Sequence, residues 1–364
     1  MITQEEQIQY SRHLQLDAIG YEGQKQLKNA RVLVIGAGGL GCPILQYLVA
    51  AGVGHIGIVD DDIVQRSNLQ RQVLFTYSDI GEHKASVAKK RMELLNPFIK
   101  IEAYITRLSP ENAKELFEAY DIIVDGTDNF PSRYLINDAA CLYAKPVVYG
   151  SIYKFEGQVS VFNYQNGPTY RCLFPKRPKI GSMPNCSEIG VMGVLPGIIG
   201  CLQANEIIKI ICKLNGVLSG KLLTFDSISL SQNILHFDKT ENANIIELQN
   251  SYEATCTISD KIKEIEAHQL EQLKTSHTLL DVRTALERQE FHIGGLHIPL
   301  DKLEHRISEI PLNQPIIVYC QSGIRSQKAI EKMLELGFAT PLFNLKNGIV
   351  KLICFKEGYT GLNN

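Results

Sequence analysis

Apolar residues in the first half of the chain fall into short unbroken runs: RVLVIG (31–36), HIGIVD (55–60), KIEAYI (100–105), YDIIVDG (120–126) and KPVVYG (145–150), with amphipathic, helix-length segments between them. Runs that are apolar at most positions and separated by helix-length segments predict parallel strands buried on both faces, the sheet of βαβ units. Two later runs, GQVSVFNY (157–164) and KLLTFD (221–226), flank a Pro- and Gly-rich stretch at 167–200. An irregular segment of that length inside a compact domain is more often functional than idle. The apolar run 191–214 is interrupted by Pro196, Asn205, Glu206 and Lys209, which predicts a buried loop and helix and no membrane span. Periodicity is lost in DKTENANIIELQN (238–250), so a linker is expected at 239–258. Beyond it TLLDVR, HIPL, IIVYC and TPLFNL alternate with helical stretches, and SQKAIEKMLELGF sets Ile330, Met333, Leu334 and Phe338 on one face. The pattern predicts two α/β domains, 1–238 and 259–364, in keeping with a chain of 364 residues, long for a single core.

Charge changes this picture little. With 37 basic and 39 acidic residues the net charge is −2, which gives no sign of a nucleic-acid or anionic-membrane surface. The N-terminal MITQEEQIQYSRHL has no apolar core for export. The nine cysteines are odd in number and contain no CxxC pair, neither a disulfide framework nor a standard zinc pattern. Cys42, Cys141, Cys201 and Cys212 lie in apolar patterns, where free cysteine behaves as a small hydrophobe. A reducing, cytoplasmic location is expected.

Chemistry enters at GAGGLG. Gly36, Gly38 and Gly41 have the spacing of a dinucleotide fingerprint after the first strand, and Asp60, ending the second, is placed to hold ribose hydroxyls. A dehydrogenase and an ATP enzyme satisfy this motif equally. SNLQR (67–71) and GEHK (81–84) add Arg71 and Lys84, which hydride transfer does not need, and DGTDN (125–129) places Asp128 at a strand end. Reaction at a nucleotide α-phosphate needs cations for the leaving pyrophosphate and a carboxylate for Mg²⁺. Taken singly, Arg71 and Lys84 are ordinary solvated cations, Asp60 and Asp62 turn formers, and Asp128 an N-cap. Arg12, in YSRHL, adds a charge on an N-terminal arm that could reach a neighbouring subunit.

YSRHLQL, GAGGLGCP, VDDDIVQRSNLQRQ, DGTDNFPSRYLINDA and FEGQVSVFN together resemble the MoeB/ThiF family, relatives of ubiquitin-activating enzymes, over about residues 5–237. The resemblance implies a Rossmann-like ATP-binding domain with a mixed sheet. It also implies a homodimer that uses Mg-ATP to adenylate the C-terminal Gly-Gly carboxylate of a small ubiquitin-like sulfur-carrier protein of the MoaD/ThiS type. Matched by motif, Gly36, Gly38, Gly39, Gly41, Asp60, Asp62, Ser67, Asn68, Leu69, Gln70, Arg71, Lys84, Asp128 and Asn129 would bind ATP, with Asp128 on Mg²⁺ and Arg12 serving the partner's site. The carrier's tail would lie along 167–200. Many relatives hold zinc with two CxxC pairs. Here TYRC has Thr169 in place of the first cysteine, Cys172 stands alone, and 238–250 contains none, so no zinc is expected. Packing must then tie the 169–172 loop to the end of the domain. Cys186, in MPNCSEIG, stands where some relatives form a transient link to the carrier, its alternative being an inert loop thiol.

In VYCQSGIRSQ (318–327) Cys320 lies between a strand and a helix, so loop amides and the helix N-terminus converge on its sulfur and favour the thiolate or an anionic persulfide. Arg325 adds charge at the rim, and a solvent-reachable sulfur is expected, the alternative being a buried structural thiol. LLDVRTALERQEF, IPL, VYCQSGIRS and NLKNGIV resemble a rhodanese domain over about 259–350, with HIGGLHIPL departing from the family's usual wall. That implies sulfur transfer from a Cys320 persulfide, loaded by a donor such as a cysteine desulfurase or thiosulfate, to give a thiocarboxylate for molybdopterin, thiamine or tRNA thiolation. Asp281 and Arg283 would be a structural pair beside the loop or an ordinary surface salt bridge. Two rival readings are an NAD-dependent oxidoreductase with a redox domain, and a second domain that only recruits partners.

Overall fold

The computed structural model describes residues 2–177, 190–252, 262–272, 277–338 and 340–349, in two compact units, 1–254 and 255–364. In the first, strands β1 (Arg31–Ile35), β2 (His55–Val59), β3 (Lys100–Tyr104), β4 (Ile122–Asp125), β5 (Val147–Tyr153), β6 (Glu156–Phe162), β7 (Lys221–Asp226) and β8 (Gln232–His236) form one sheet in the order 3-2-1-4-5-6-7-8. The five from β3 to β5 are parallel, with Val34 opposite Ile58 on one side and Val124 on the other. From β5 onward the pairing is antiparallel. The expected apolar runs all become strands. β8 was not expected, because an exposed edge strand such as QNILH has no buried face to impose a pattern.

The central strands β1, β2 and β4 are apolar but for end residues because both faces are covered, whereas the edge strand β3 carries Lys100 and Glu102. The helices Gly41–Ala51, Lys84–Leu95 and Leu195–Ile211 close one side over Val32, Val34, Ile56, Ile58 and Val124. Pro110–Ala119 and Phe130–Leu142 close the other over Leu33, Ile35, Ile123 and Tyr149. The 191–214 run is the buried helix Leu195–Ile211, started by Pro196 in its first turn. Among the described residues no helix is long and apolar enough to cross a membrane.

Part of the segment expected as linker is packed against this unit. Ala243 and Tyr252 are buried, and the Tyr252 hydroxyl donates to Asp138 Oδ2 at 2.7 Å. Asp138 is 1% exposed and also takes Arg171 through Nε and Nη2 at 2.6 and 2.7 Å. Polar composition hid this contact, since what the segment buries is the small Ala243 and the ring and hydroxyl of Tyr252.

The second unit is a parallel sheet of β9 (Lys263–Ile265), β10 (Thr278–Asp281), β11 (Leu296–His297), β12 (Ile316–Tyr319) and β13 (Leu342–Leu345), in the order 11-10-12-13-9. The helix Ile324–Glu335 lays Ile330 and Met333, both fully buried, on the core, with Leu334 and Phe338 at its margin. Each such buried side chain stabilises by ~1.5–3 kcal/mol. β9 was missed because three residues are too short to show a period.

Candidate active sites

In a doubly wound sheet ligands bind beyond the carboxyl ends of the strands, where the strand order reverses. Here that point lies between β1 and β4. It opens into a cavity of about 610 Å³ whose lining includes Gly36, Gly38, Gly39, Asp60, Asp62, Ser67, Asn68, Gln70, Arg71, Lys84, Asp128 and Asn129. Gly36 holds φ +98°, and a Cβ there would stand 2.7 Å from the Gly126 carbonyl oxygen, so the two loops approach closely only as glycines. Gly41 lies behind the cavity, where a Cβ would overlap the Gly36 carbonyl; its role is helix–strand packing. Leu69 corrects the expectation: its apolar side chain turns inward and packs on the core.

The charged groups are arranged in part already. Asp60 accepts the amides of Ala37 at 2.7 Å and Asp62 at 2.9 Å, which braces the glycine loop. Burial raises its pKa above the usual carboxylate range, and the Ala37 amide opposes that. Lys84, its side chain 6% exposed, donates to Asp62 Oδ2 at 2.8 Å. Arg71 donates to the Ser67 carbonyl at 3.0 Å, and Asn68 Oδ1 accepts the Gln65 amide at 3.1 Å. The N-cap of Phe130–Leu142 is Asn129, which accepts Ser132 N at 2.9 Å. Asp128 is therefore not the cap. It is exposed at the cavity and, among the described residues, has no hydrogen-bond or ion-pair partner.

Sequence reasoning missed Gln65, Gln72, Thr106, Arg107, Leu108 and Arg133, which also line the cavity. Arg133 is 7% exposed, donates to the Thr127 carbonyl at 3.3 Å, and sits over the Tyr149 ring at 5.4 Å. Its signal was present: four residues beyond the Asn129 cap, it shares that helix face. Beside the cavity the β5–β6 and β7–β8 turns expose Tyr153, Phe155, Ile228 and Leu230 with Met192. These are joined by Ser227 N to Phe155 O at 2.9 Å and by Met192 N to Lys154 O at 3.3 Å. Arg12 is not among the cavity's lining residues and bonds Gln15 at 3.3 Å. Cys186 and residues 178–189 lie outside the described residues.

The 169–172 loop is tied to the domain's end by hydrogen bonds. Cys172 Sγ accepts the amides of Thr169 at 3.3 Å and Thr240 at 3.4 Å. Burial pushes this thiol up, but those bonds outweigh it and leave it below the ordinary cysteine range. Burial carries Cys42 and Cys141 up to about 12 and Cys212 to about 11.

In the second unit the thiol differs from expectation. Cys320 is 0% exposed. Its sulfur accepts the Gly323 amide at 3.2 Å and lies 3.4 Å from the Ser326 hydroxyl, whose nearest acceptor is Asn344 Oδ1 at 2.6 Å. The tight loop folds its own donors over the sulfur, which the linear spacing of Cys and Arg does not show. Arg325 is paired with Glu287, Nη1 to Oε2 at 2.8 Å. Asp281 and Arg283 are no surface bridge: they are 0% and 1% exposed, joined through Nε–Oδ1 at 3.0 Å and Nη2–Oδ2 at 2.8 Å.

Comparison with known proteins agrees with this geometry. The ThiF family matches residues 10–246 and a rhodanese-like domain matches 266–353. A sulfur carrier protein adenylyltransferase of Thermus thermophilus is 53% identical over 63% of this chain and 86% of its own length. A probable adenylyltransferase/sulfurtransferase MoeZ of Mycobacterium tuberculosis is 41% identical over 96% of this chain and 93% of its own. Adenylyltransferase and sulfurtransferase MOCS3 of Sus scrofa is 37% identical over 92% and 82%. None of these three is an oxidoreductase. Among solved structures, E. coli MccB with ATP matches 65% of this chain and 74% of its own at a TM-score of 0.56 and 24% identity, a likeness of fold. The chain therefore belongs to the ThiF family and carries a rhodanese-like domain behind its ThiF region.

Proposed function

We propose that this chain adenylates the C-terminal Gly-Gly carboxylate of a ubiquitin-like sulfur-carrier protein with ATP and then supplies sulfur to it from Cys320. The observation that carries the first half is the convergence, in one glycine-rimmed cavity, of Arg71, Lys84 and an Asp128 that is unpartnered among the described residues. A carboxylate repels nucleophiles and has a poor leaving group, and joining it to AMP cures both. The carboxylate oxygen attacks the α-phosphorus and pyrophosphate departs, so the protein's task is to position the two and neutralise charge. In this reading the glycine loop cradles phosphates, Asp60 takes ribose hydroxyls, and Asn68, Arg71 and Lys84 draw charge from the leaving pyrophosphate. Asp128, at a cavity that also offers Asn129, would hold Mg²⁺, which supplies charge to the phosphates. The exposed Tyr153, Phe155, Met192, Ile228 and Leu230 surface beside the cavity suits a carrier protein, and a homodimer in a reducing cytoplasm would let Arg12 serve the partner's site.

For the second half, the support is the Gly323 amide aimed at the Cys320 sulfur where the helix Ile324–Glu335 begins, inside the region that a rhodanese-like domain matches. The persulfide's outer sulfur would attack the acyl carbonyl and expel AMP, and a second thiol, with Cys186 one candidate, would cleave the resulting acyl disulfide to release the thiocarboxylate. Incubation of candidate carriers with the protein, ATP, a thiol reductant and either thiosulfate or a cysteine desulfurase carrying a persulfide, followed by intact mass, should show replacement of one oxygen by sulfur. A carrier mass that stays unchanged with every candidate and with both donors would sink the reading.

A further inference from the structure

The three guanidiniums around the sulfur loop are all matched to carboxylates. Arg283 and Arg288 share Asp281, at 2.8 and 3.3 Å, and Arg325 is engaged by both oxygens of Glu287. Glu287 is itself held. It is the third residue of the helix Ala285–Glu290, and its Oε2 accepts the Thr284 amide at 3.0 Å and hydroxyl at 2.8 Å in a capping box. The carboxylate is thus anchored at the helix start and cannot leave Arg325 without giving up a cap. Arg325 in turn keeps Glu287 down at about 2, so the pair stays charged at neutral pH.

A small sulfur donor such as thiosulfate carries two negative charges and has little else to bind with. It needs a guanidinium with open donors. A persulfide presented on a protein carries at most one charge at the reacting sulfur, and protein–protein contact supplies its affinity. We infer that Glu287 is a donor-specificity residue, which withholds Arg325 from small dianions and so favours a protein-borne persulfide over thiosulfate as the source of sulfur for Cys320. This rests on reading Cys320 as the sulfur-accepting thiol. Either donor gives a balanced step: the Cys320 thiolate attacks the outer sulfur, a new S–S bond forms, the donor's S–S bond breaks, and sulfite or the donor thiolate leaves with the electron pair.

The test uses the full chain and two donors, thiosulfate and a cysteine desulfurase carrying a persulfide. Glu287→Gln keeps a capping-box side chain and removes the charge. Losing a pair of this partial exposure should lower the thiosulfate KM about fivefold with kcat within about twofold, and leave loading from the desulfurase unchanged. Thr284→Ala weakens the cap but keeps the Glu287 charge, and should leave the thiosulfate KM as it was. A Glu287→Gln protein with wild-type melting and an unchanged or higher thiosulfate KM overturns the specificity role alone. If the wild-type chain takes sulfur onto Cys320 from neither donor, the sulfurtransferase reading falls as well.

Discussion

The two sites share one local construction, a strand, a glycine-bearing loop and a helix whose first amides face the loop, yet they stand in opposite states. The 36–41 loop opens into about 610 Å³ with Asp128 at its edge unpartnered. The 320–325 loop closes on its own sulfur, and the cations around it are discharged by Asp281 and Glu287. On the proposed function, the difference follows from the size of what each would hold. A nucleoside triphosphate arrives whole from solution and needs room and spare charge beforehand. A single sulfur atom needs only a few aligned donors, and a preformed cavity there would admit water.

The sharpest break of this comparison comes from disabling one site at a time. Asp128→Ala should cut carrier-dependent ATP–pyrophosphate exchange by at least ~10²-fold and leave persulfide formation at Cys320 intact. Cys320→Ala should do the reverse, abolishing sulfur transfer while exchange continues. Wild-type exchange in Asp128→Ala would remove that residue from the metal role, and transfer surviving in Cys320→Ala would discard the thiol as acceptor.

How far each site was legible follows from the same contrast. The cleft was readable because glycine spacing and strand order dictate where a parallel sheet opens, and Arg71, Lys84 and Asp128 all follow strand ends along that opening. Leu69 was misplaced because a motif string does not say which side chain turns inward. Arg133 was passed over because its helix face depends on where Asn129 caps the helix. At Cys320 the sequence showed the donors but not the burial, since Ser326 and Asn344 meet only after β13 lies beside β12. Glu287 was invisible for the same reason, being 38 residues from Arg325.

A second contrast lies in how buried charge is held. Asp138, in the first unit, takes Arg171, Tyr252 and Asn137. Asp281, in the second, takes Arg283 and Arg288. Asp138→Ala strands Arg171, whose side chain is only 12% exposed, and should destabilise the first unit by about 3–5 kcal/mol. It should also release the packed stretch through Tyr252. Hydrogen exchange should show protection lost around β4, β5 and Tyr252 but retained in β10 and β12. Equal loss in both units would mean that they unfold as one and that the cluster is not local to the first.

The smallest expected effect compares thiols. Alkylation needs a thiolate that reagent can reach. Cys172 is partly exposed and hydrogen bonds hold its pKa low, whereas Cys42 is buried and pushed up to about 12. Cys320 has donors on its sulfur but no exposure. Under iodoacetamide at neutral pH, peptide mapping should therefore show Cys172 labelled about tenfold faster than Cys320, with Cys42 slowest of the three. The order separates two placements of a hydrogen-bonded sulfur, Cys172 in partial exposure and Cys320 under cover. If Cys320 reacts first, its loop opens faster than the reagent attacks. The closed arrangement of Ser326 over the sulfur would then be a resting state and no barrier to small donors.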